Sequence, residues 1–146
     1  MSLLANKDLV HRYYDEAFNA NQPGALDRML APGFVDHNPA SGQTPDAAGF
    51  KHLLVTYRAA FPDGYISLED MLAERDVVAV RYTFRGTQAG AFRGILPSGR
   101  QVTMTGIDVF RVVDGRLAER WGNRDDLGLL QQLGTVSETV MAPGAP

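Results

Sequence analysis

The chain has 146 residues, 45% of them apolar and 21% charged, with a net charge of −3 and no cysteine. That size suits one domain around one core, and the missing cysteine excludes disulfides, thiolate catalysis and cysteine-bearing metal sites. Lys7 and Lys51 are the only lysines and the arginines are scattered, which argues against a nucleic-acid partner. No run of about 18 apolar residues and no secretory leader stand out, so a cytoplasmic chain with no membrane partner is expected.

The pattern predicts helices in the first half and strands in the second, an α+β arrangement of residues 1–146 with its core over about 5–134. Residues 6–20 carry Leu9, Val10, Tyr13, Tyr14, Ala17 and Phe18 at three-four spacing, with Asn6 placed to cap the start. A short helix follows over about Gly24 to Leu30, opened by Asn21 and Pro23 and closed by Pro32-Gly33. Phe34 to Pro39 reads as extended, because Pro39 forbids a helix across it. A third helix begins at Thr44-Pro45-Asp46, with Thr44 as cap and Phe50, Leu53, Leu54, Tyr57 and Phe61 inward, and ends at Pro62.

Strands are expected over Tyr65–Glu74, Val77–Gly86, about 102–112 and Arg116 to about Asn123. Asp76 fits the turn between the first two, and Asp114-Gly115 is a strong hairpin signal between the last two. Alternation places Leu117, Glu119, Trp121 and Asn123 on one face of the last strand. A helix from Asp126 to Leu133 ends at Gly134, and the remaining tail, with little pattern, reads as mobile. Helices covering one face of a strongly bent antiparallel sheet leave a cone-shaped cavity, a common small-molecule site.

One acid stands out. Alternation along Val102–Val112 puts Asp108 on a face otherwise made of Val102, Met104, Gly106, Phe110 and Val112. An ionised carboxylate there costs several kcal/mol unless it is paired, hydrogen-bonded or protonated. Two readings stand: an ion pair or hydrogen bond that fixes the structure, or an acid/base group in a pocket. His37, beside Asp36 and Asn38, is the histidine with a claim to join it, either polarising a substrate carbonyl or pairing with Asp108. His11 and His52 fall outside the apolar stripes of their helices, and three histidines so disposed argue against a metal site. Asp125 shares alternation with Trp121 and Asn123 but also fits a helix cap. Trp121, Tyr82, Tyr14, Met104 and Phe110 are candidate walls of the pocket, with core packing as the bland alternative. Glu119 is a further acid candidate on the face of Trp121, and Arg124 either binds a substrate oxyanion or lies on the surface.

The order of elements resembles the nuclear-transport-factor-2-like cone fold. Phe34–Pro39, Gly90–Val102, Gly106–Arg111, Glu119-Arg120-Trp121 and Asp126–Gly134 together resemble the signature of the SnoaL-like polyketide cyclase family. The resemblance implies a cone-shaped α+β barrel without metal or organic cofactor. It implies an intramolecular aldol ring closure of a polyketide ester driven by a buried Asp, with His or Asn side chains lining the pocket, here His37 and Asn38. It also implies a homodimer paired through the sheet, and a small hydrophobic or aromatic partner. Two alternatives come with it: a relative that assists ring hydroxylation, and a non-catalytic ligand-binding module. The chain departs from the pattern at Gly122, where an acid is expected beside or soon after Trp121. Either Asp125 or Asp108 then takes that role, or the aldol chemistry is lost.

Overall fold

The long strands of the second half decide the architecture. In the computed structural model, which describes residues 2–136, β2 (Tyr65–Glu74), β3 (Val77–Thr87), β4 (Gln101–Val113) and β5 (Arg116–Arg124) form an antiparallel meander. The turns are where the sequence places them: Arg75 and Asp114 take positive φ, and Gly115 follows Asp114 with φ 74°. Two left-handed residues in succession match the right-handed twist of the flanking strands. β1 (Leu30–Asp36) adds to the far edge, parallel to β5, so the order is β1-β5-β4-β3-β2. The extended segment at Phe34–Pro39 is thus partly a strand, and the antiparallel sheet has one parallel edge.

Register irregularities lie between Leu68 and Asp70 in β2 and between Leu117 and Glu119 in β5. Each inserts a residue, bends its strand and sharpens the local twist. The curved sheet wraps α1 (Leu3–Arg12), the π-helical continuation Tyr13–Asn19, α2 (Leu26–Met29) and α3 (Ala47–Ala60), while α4 (Asp126–Gln132) follows β5. The inward residues of α1 and its continuation, Leu9, Val10, Tyr13, Tyr14, Ala17 and Phe18, are all buried. Phe50, Leu54, Tyr57 and Phe61 of the α3 stripe are buried as well.

Two cap expectations are corrected. Asn6 is buried inside α1, and the cap is Ser2, whose hydroxyl accepts from the Ala5 amide at 2.9 Å. At α3 the cap is Asp46, which accepts from the Gly49 amide at 2.9 Å, while Thr44 donates to the same oxygen at 2.7 Å. A carboxylate outcompetes a hydroxyl for helix N–H groups because its charge meets the positive end of the helix dipole. That contact lowers the pKa of Asp46, through the Thr44 hydroxyl first and the Gly49 amide second. The tail reading falls mostly on residues 137–146, which lie outside the described residues. Among the described residues, no helix is long and apolar enough to cross a membrane.

Candidate active site

On β4, Val102, Met104, Gly106, Asp108, Phe110 and Val112 do share the inner face, and all are buried. Asp108 is 3% exposed. Its Oδ1 accepts from the Arg120 guanidinium at 2.8 Å, and its Oδ2 accepts from the Tyr14 hydroxyl at 2.5 Å. Arg120 in turn donates to Asp36 Oδ1 at 2.9 Å. Asp36 is otherwise saturated, accepting from the Asn38 amide at 3.0 Å and from the Gln43 side chain at 2.8 Å. One buried guanidinium therefore serves two buried carboxylates. Burial works against the charge of Arg120, but Asp108 and Asp36 more than offset that and hold it protonated.

The two acids differ in their other surroundings. Asp36 is tied to a loop and a backbone amide on the β1 side, whereas Asp108 faces a cavity lined by Tyr13, Phe50, Leu53, Tyr57, Tyr82, Met104, Arg120 and Arg124, among others. The cavity measures about 30 Å³, room for about one water molecule. Burial, and then the charge of Asp108, raise the Tyr14 phenol well above its ordinary value, so Tyr14 remains the donor in this contact. Tyr13 and Tyr82 are raised for the same two reasons.

Two glycines make the arrangement possible. A Cβ on Gly122 would lie 2.3 Å from an Arg120 nitrogen and 2.5 Å from Asp108 Oδ1, so any side chain there displaces the ion pair. Gly122 is also the cross-strand partner of Asp108. The carboxylate of β4 thus occupies the part of the inner face next to the position where the family resemblance calls for an acid on β5. At Gly106, a Cβ would lie 2.3 Å from the Tyr82 hydroxyl, because the Tyr82 ring lies across the glycine. We expect Gly106→Ala to cost about 1–3 kcal/mol, as overpacking does, read as a lower urea midpoint; an unchanged midpoint would show that Tyr82 turns aside freely.

Half of the expected constellation lies elsewhere. The face assignment on β5 is corrected by the bulge: Val113 pairs with Arg116 and Val112 with Leu117, but Arg111 pairs with Glu119. The extra residue, Ala118, reverses the alternation beyond it. Leu117, Arg120, Gly122 and Arg124 turn inward, and Glu119, Trp121 and Asn123 turn outward. His37 accordingly sits on the outer side, stacked on Trp121 with ring centroids 4.7 Å apart and contacting Glu119 at 3.0 Å. Glu119 also pairs with Arg111, and these two contacts, Arg111 first, lower its pKa. His37 therefore does not meet Asp108, and Trp121 does not line the cavity. Asn38 accepts from the Gly122 amide at 3.0 Å and extends the β1–β5 edge. Asp125 caps α4, accepting from the Gly128 amide at 2.9 Å. Tyr14 and Phe110 pack behind the cavity rather than line it, while Tyr82 and Met104 do line it.

Arg120, Asp36, Arg124 and Tyr57 are the site residues that sequence reasoning missed or underrated. Arg124 is 9% exposed at its side chain and lines the cavity instead of lying on the surface. The signal for the arginines was the alternation Arg120, Gly122, Arg124, which becomes visible once the bulge is known.

The model of the SnoaL-like polyketide cyclase family matches residues 8–133. The chain belongs to this family. Solved structures agree. TsrD from Streptomyces laurentii is 30% identical with a TM-score of 0.84, covering 93% of this chain and 99% of its own. AclR from Streptomyces galilaeus, described as a candidate hydroxylase, is 27% identical with a TM-score of 0.82, covering 93% and 100%. IdmH from Streptomyces antibioticus, described as a candidate polyketide cyclase, is 34% identical with a TM-score of 0.77, covering 88% and 98%. No curated protein sequence matches the chain. The curved five-stranded sheet over N-terminal helices is the fold of these relatives.

Proposed function

We propose that the chain is a cofactor-independent enzyme that moves a proton at carbon on a hydrophobic, polyketide-like molecule, with Asp108 as general acid/base. The observation that carries this reading is where the two partners of Arg120 stand. The guanidinium meets Asp36 and Asp108 at 2.9 and 2.8 Å, and of the two carboxylates it is Asp108 that lines the aromatic-walled cavity. A carboxylate so placed takes a proton from the carbon next to a substrate carbonyl. In an aldol ring closure the resulting enolate carbon attacks a second carbonyl of the same molecule, and the alkoxide takes the proton back. Tyr14 keeps the acceptor oxygen of Asp108 oriented through its short hydrogen bond. The cavity is smaller than a ligand site of about 300–1,000 Å³, so binding requires its wall to open. A second chamber of about 110 Å³ lies beside it, with Leu53 lining both, and displacement of the Leu53 side chain is the proposed way in.

The test is deuterium uptake from solvent by an enolisable aryl methyl ketone, followed by NMR. Uptake that depends on Asp108 is expected, and uptake equal to the buffer rate overturns the reading. The likeness to AclR favours a second reading, in which the same carbanion reacts with oxygen; oxygen consumption during exchange separates the two.

For assembly, we propose a homodimer through the outer sheet face. Leu72, Ala79, Val109 and Trp121 are successive cross-strand neighbours and form one apolar row across β2, β3, β4 and β5. Leu72 and Trp121 are exposed at its two ends, and Ile107 is exposed beside it. Val109→Lys is expected to yield monomers in sedimentation velocity where the parent chain sediments as a dimer; a monomeric parent overturns the proposal.

A further inference from the structure

Two buried donors at the cavity have no acceptor among the described residues, and a guanidinium beside them is only loosely paired. Tyr57 is 4% exposed, and its hydroxyl has no hydrogen-bond partner among the described residues. The same holds for the Nε of Arg120. The Arg124 side chain makes no hydrogen bond among the described residues; it forms a long ion pair with Asp126, whose Oδ1 lies 3.7 Å from its Nε and 3.6 Å from Arg93. All three residues line the cavity that Asp108 faces. Buried donors left unpaired cost about 1–3 kcal/mol each, more when charged, so a wall carrying two of them beside a loosely paired guanidinium is poorly suited to a purely apolar ligand.

Their placement matters as much as their number. Gly106 pairs with Arg124, and Asp108 pairs with Gly122. Arg124 is therefore the diagonal neighbour of Asp108 on the inner face, about 7–8 Å away between backbones. Both side chains line the same cavity, so a carbonyl compound admitted when its wall opens meets the carboxylate and the guanidinium from neighbouring strands. Tyr57 reaches the same cavity from α3, opposite the sheet.

We infer that Arg124 and Tyr57 form an oxyanion subsite that receives the oxygen on which charge builds when Asp108 removes a proton. This inference rests on the acid/base reading of Asp108 and deepens it: the substrate is a carbonyl compound whose enolate carries its charge on oxygen. Donors fixed before the reaction and shielded from water stabilise such a charge more strongly than solvent does. The arrangement also explains why two cations, Arg120 and Arg124, stand at a cavity otherwise lined by aromatic and aliphatic side chains. Arg120 balances the resting carboxylates, and Arg124 is held in reserve for the enolate.

The test uses 4-nitrophenol, whose yellow ionised form reports its own protonation state. The parent chain is expected to bind it as the phenolate and to lower its apparent pKa. Arg124→Met should weaken phenolate binding at least tenfold, Tyr57→Phe by about fivefold, and Arg124→Lys should recover part of the loss. Asp108→Asn should bind phenolate as well as the parent or better, since it removes a negative charge from the cavity. Phenolate binding kept in Asp108→Asn while deuterium exchange is unaffected by that change refutes the acid/base reading and leaves the subsite standing. Binding of the neutral phenol only, no binding by the parent chain, or parent-like affinity in Arg124→Met overturns the subsite itself.

Discussion

Replacing Arg120 with leucine is expected to leave little folded chain at neutral pH. Its guanidinium is 3% exposed and bridges two carboxylates that are themselves 0% and 4% exposed at their side chains. Removing one partner of a buried pair costs about 3–5 kcal/mol, because a charge is left buried without compensation. Here two carboxylates lose their cation at once, against a total stability of about 5–15 kcal/mol for a domain. Asp36 keeps the Gln43 side chain and the Asn38 amide, while Asp108 keeps Tyr14 alone. The larger share of the cost therefore falls on Asp108, and adding Asp108→Asn to Arg120→Leu should restore more than half of the lost stability. Adding Asp36→Asn instead should restore less. Urea unfolding of the single and double variants measures this directly, and an Arg120→Leu midpoint equal to the parent's would show that the ion pairs are not what holds β1, β4 and β5 together. Lysine is no substitute, since a single ammonium lacks the planar fork that reaches Asp36 and Asp108 at once.

The fold was legible because its signals are local. The four long strands, the Asp114-Gly115 turn and the apolar stripes of α1 and α3 follow from periodicity and turn chemistry, and the boundaries of β2 agree to the residue. The burial of Asp108 was legible for the same reason: β4 alternates without interruption from Val102 to Val112. Its partner was not. The sequence from Arg116 to Arg124 has no clean alternation, and a large Trp is the natural candidate for the inner face. A bulge of one residue at Ala118 reverses that choice, sending Trp121 and His37 outward together and Arg120 inward. No pattern within β5 announces the bulge. It becomes visible only from the register against β4, which is a property of two strands and not of one. The parallel pairing of β1 was hidden likewise, because Phe34–Pro39 reads as extended whatever it pairs with. Asp36 and Arg120 are 84 positions apart, and nothing local connects them.

Asp108→Asn is expected to keep the fold and lose the chemistry. Arg120 retains Asp36 as its counter-charge, so the substitution strands no ion. The asparagine carbonyl accepts from Arg120, and its NH2 donates to Tyr14, whose hydroxyl reverses from donor to acceptor. Both contacts are thus kept with one neutral group in place of a carboxylate, at the cost of the acceptor for the Tyr14 O–H, and the thermal midpoint should move by only a few degrees. Turnover depends on what the amide cannot do. It does not take up a proton from carbon, and loss of a positioned general base costs about 10²–10⁴ in rate. Deuterium exchange into the aryl ketone should fall by that factor, with little change in the concentration giving half-maximal exchange. Tyr14→Phe provides the contrast. It removes the hydrogen bond that orients Asp108 but leaves the carboxylate, so exchange should fall by roughly tenfold, within the cost of a lost buried hydrogen bond of about 1–1.5 kcal/mol. A variant series in which Asp108→Asn and Tyr14→Phe lose the same modest amount would make Asp108 a structural partner of Arg120 and nothing more. A steep loss in the first and a shallow one in the second would assign the proton transfer to the carboxylate and the orientation to the phenol.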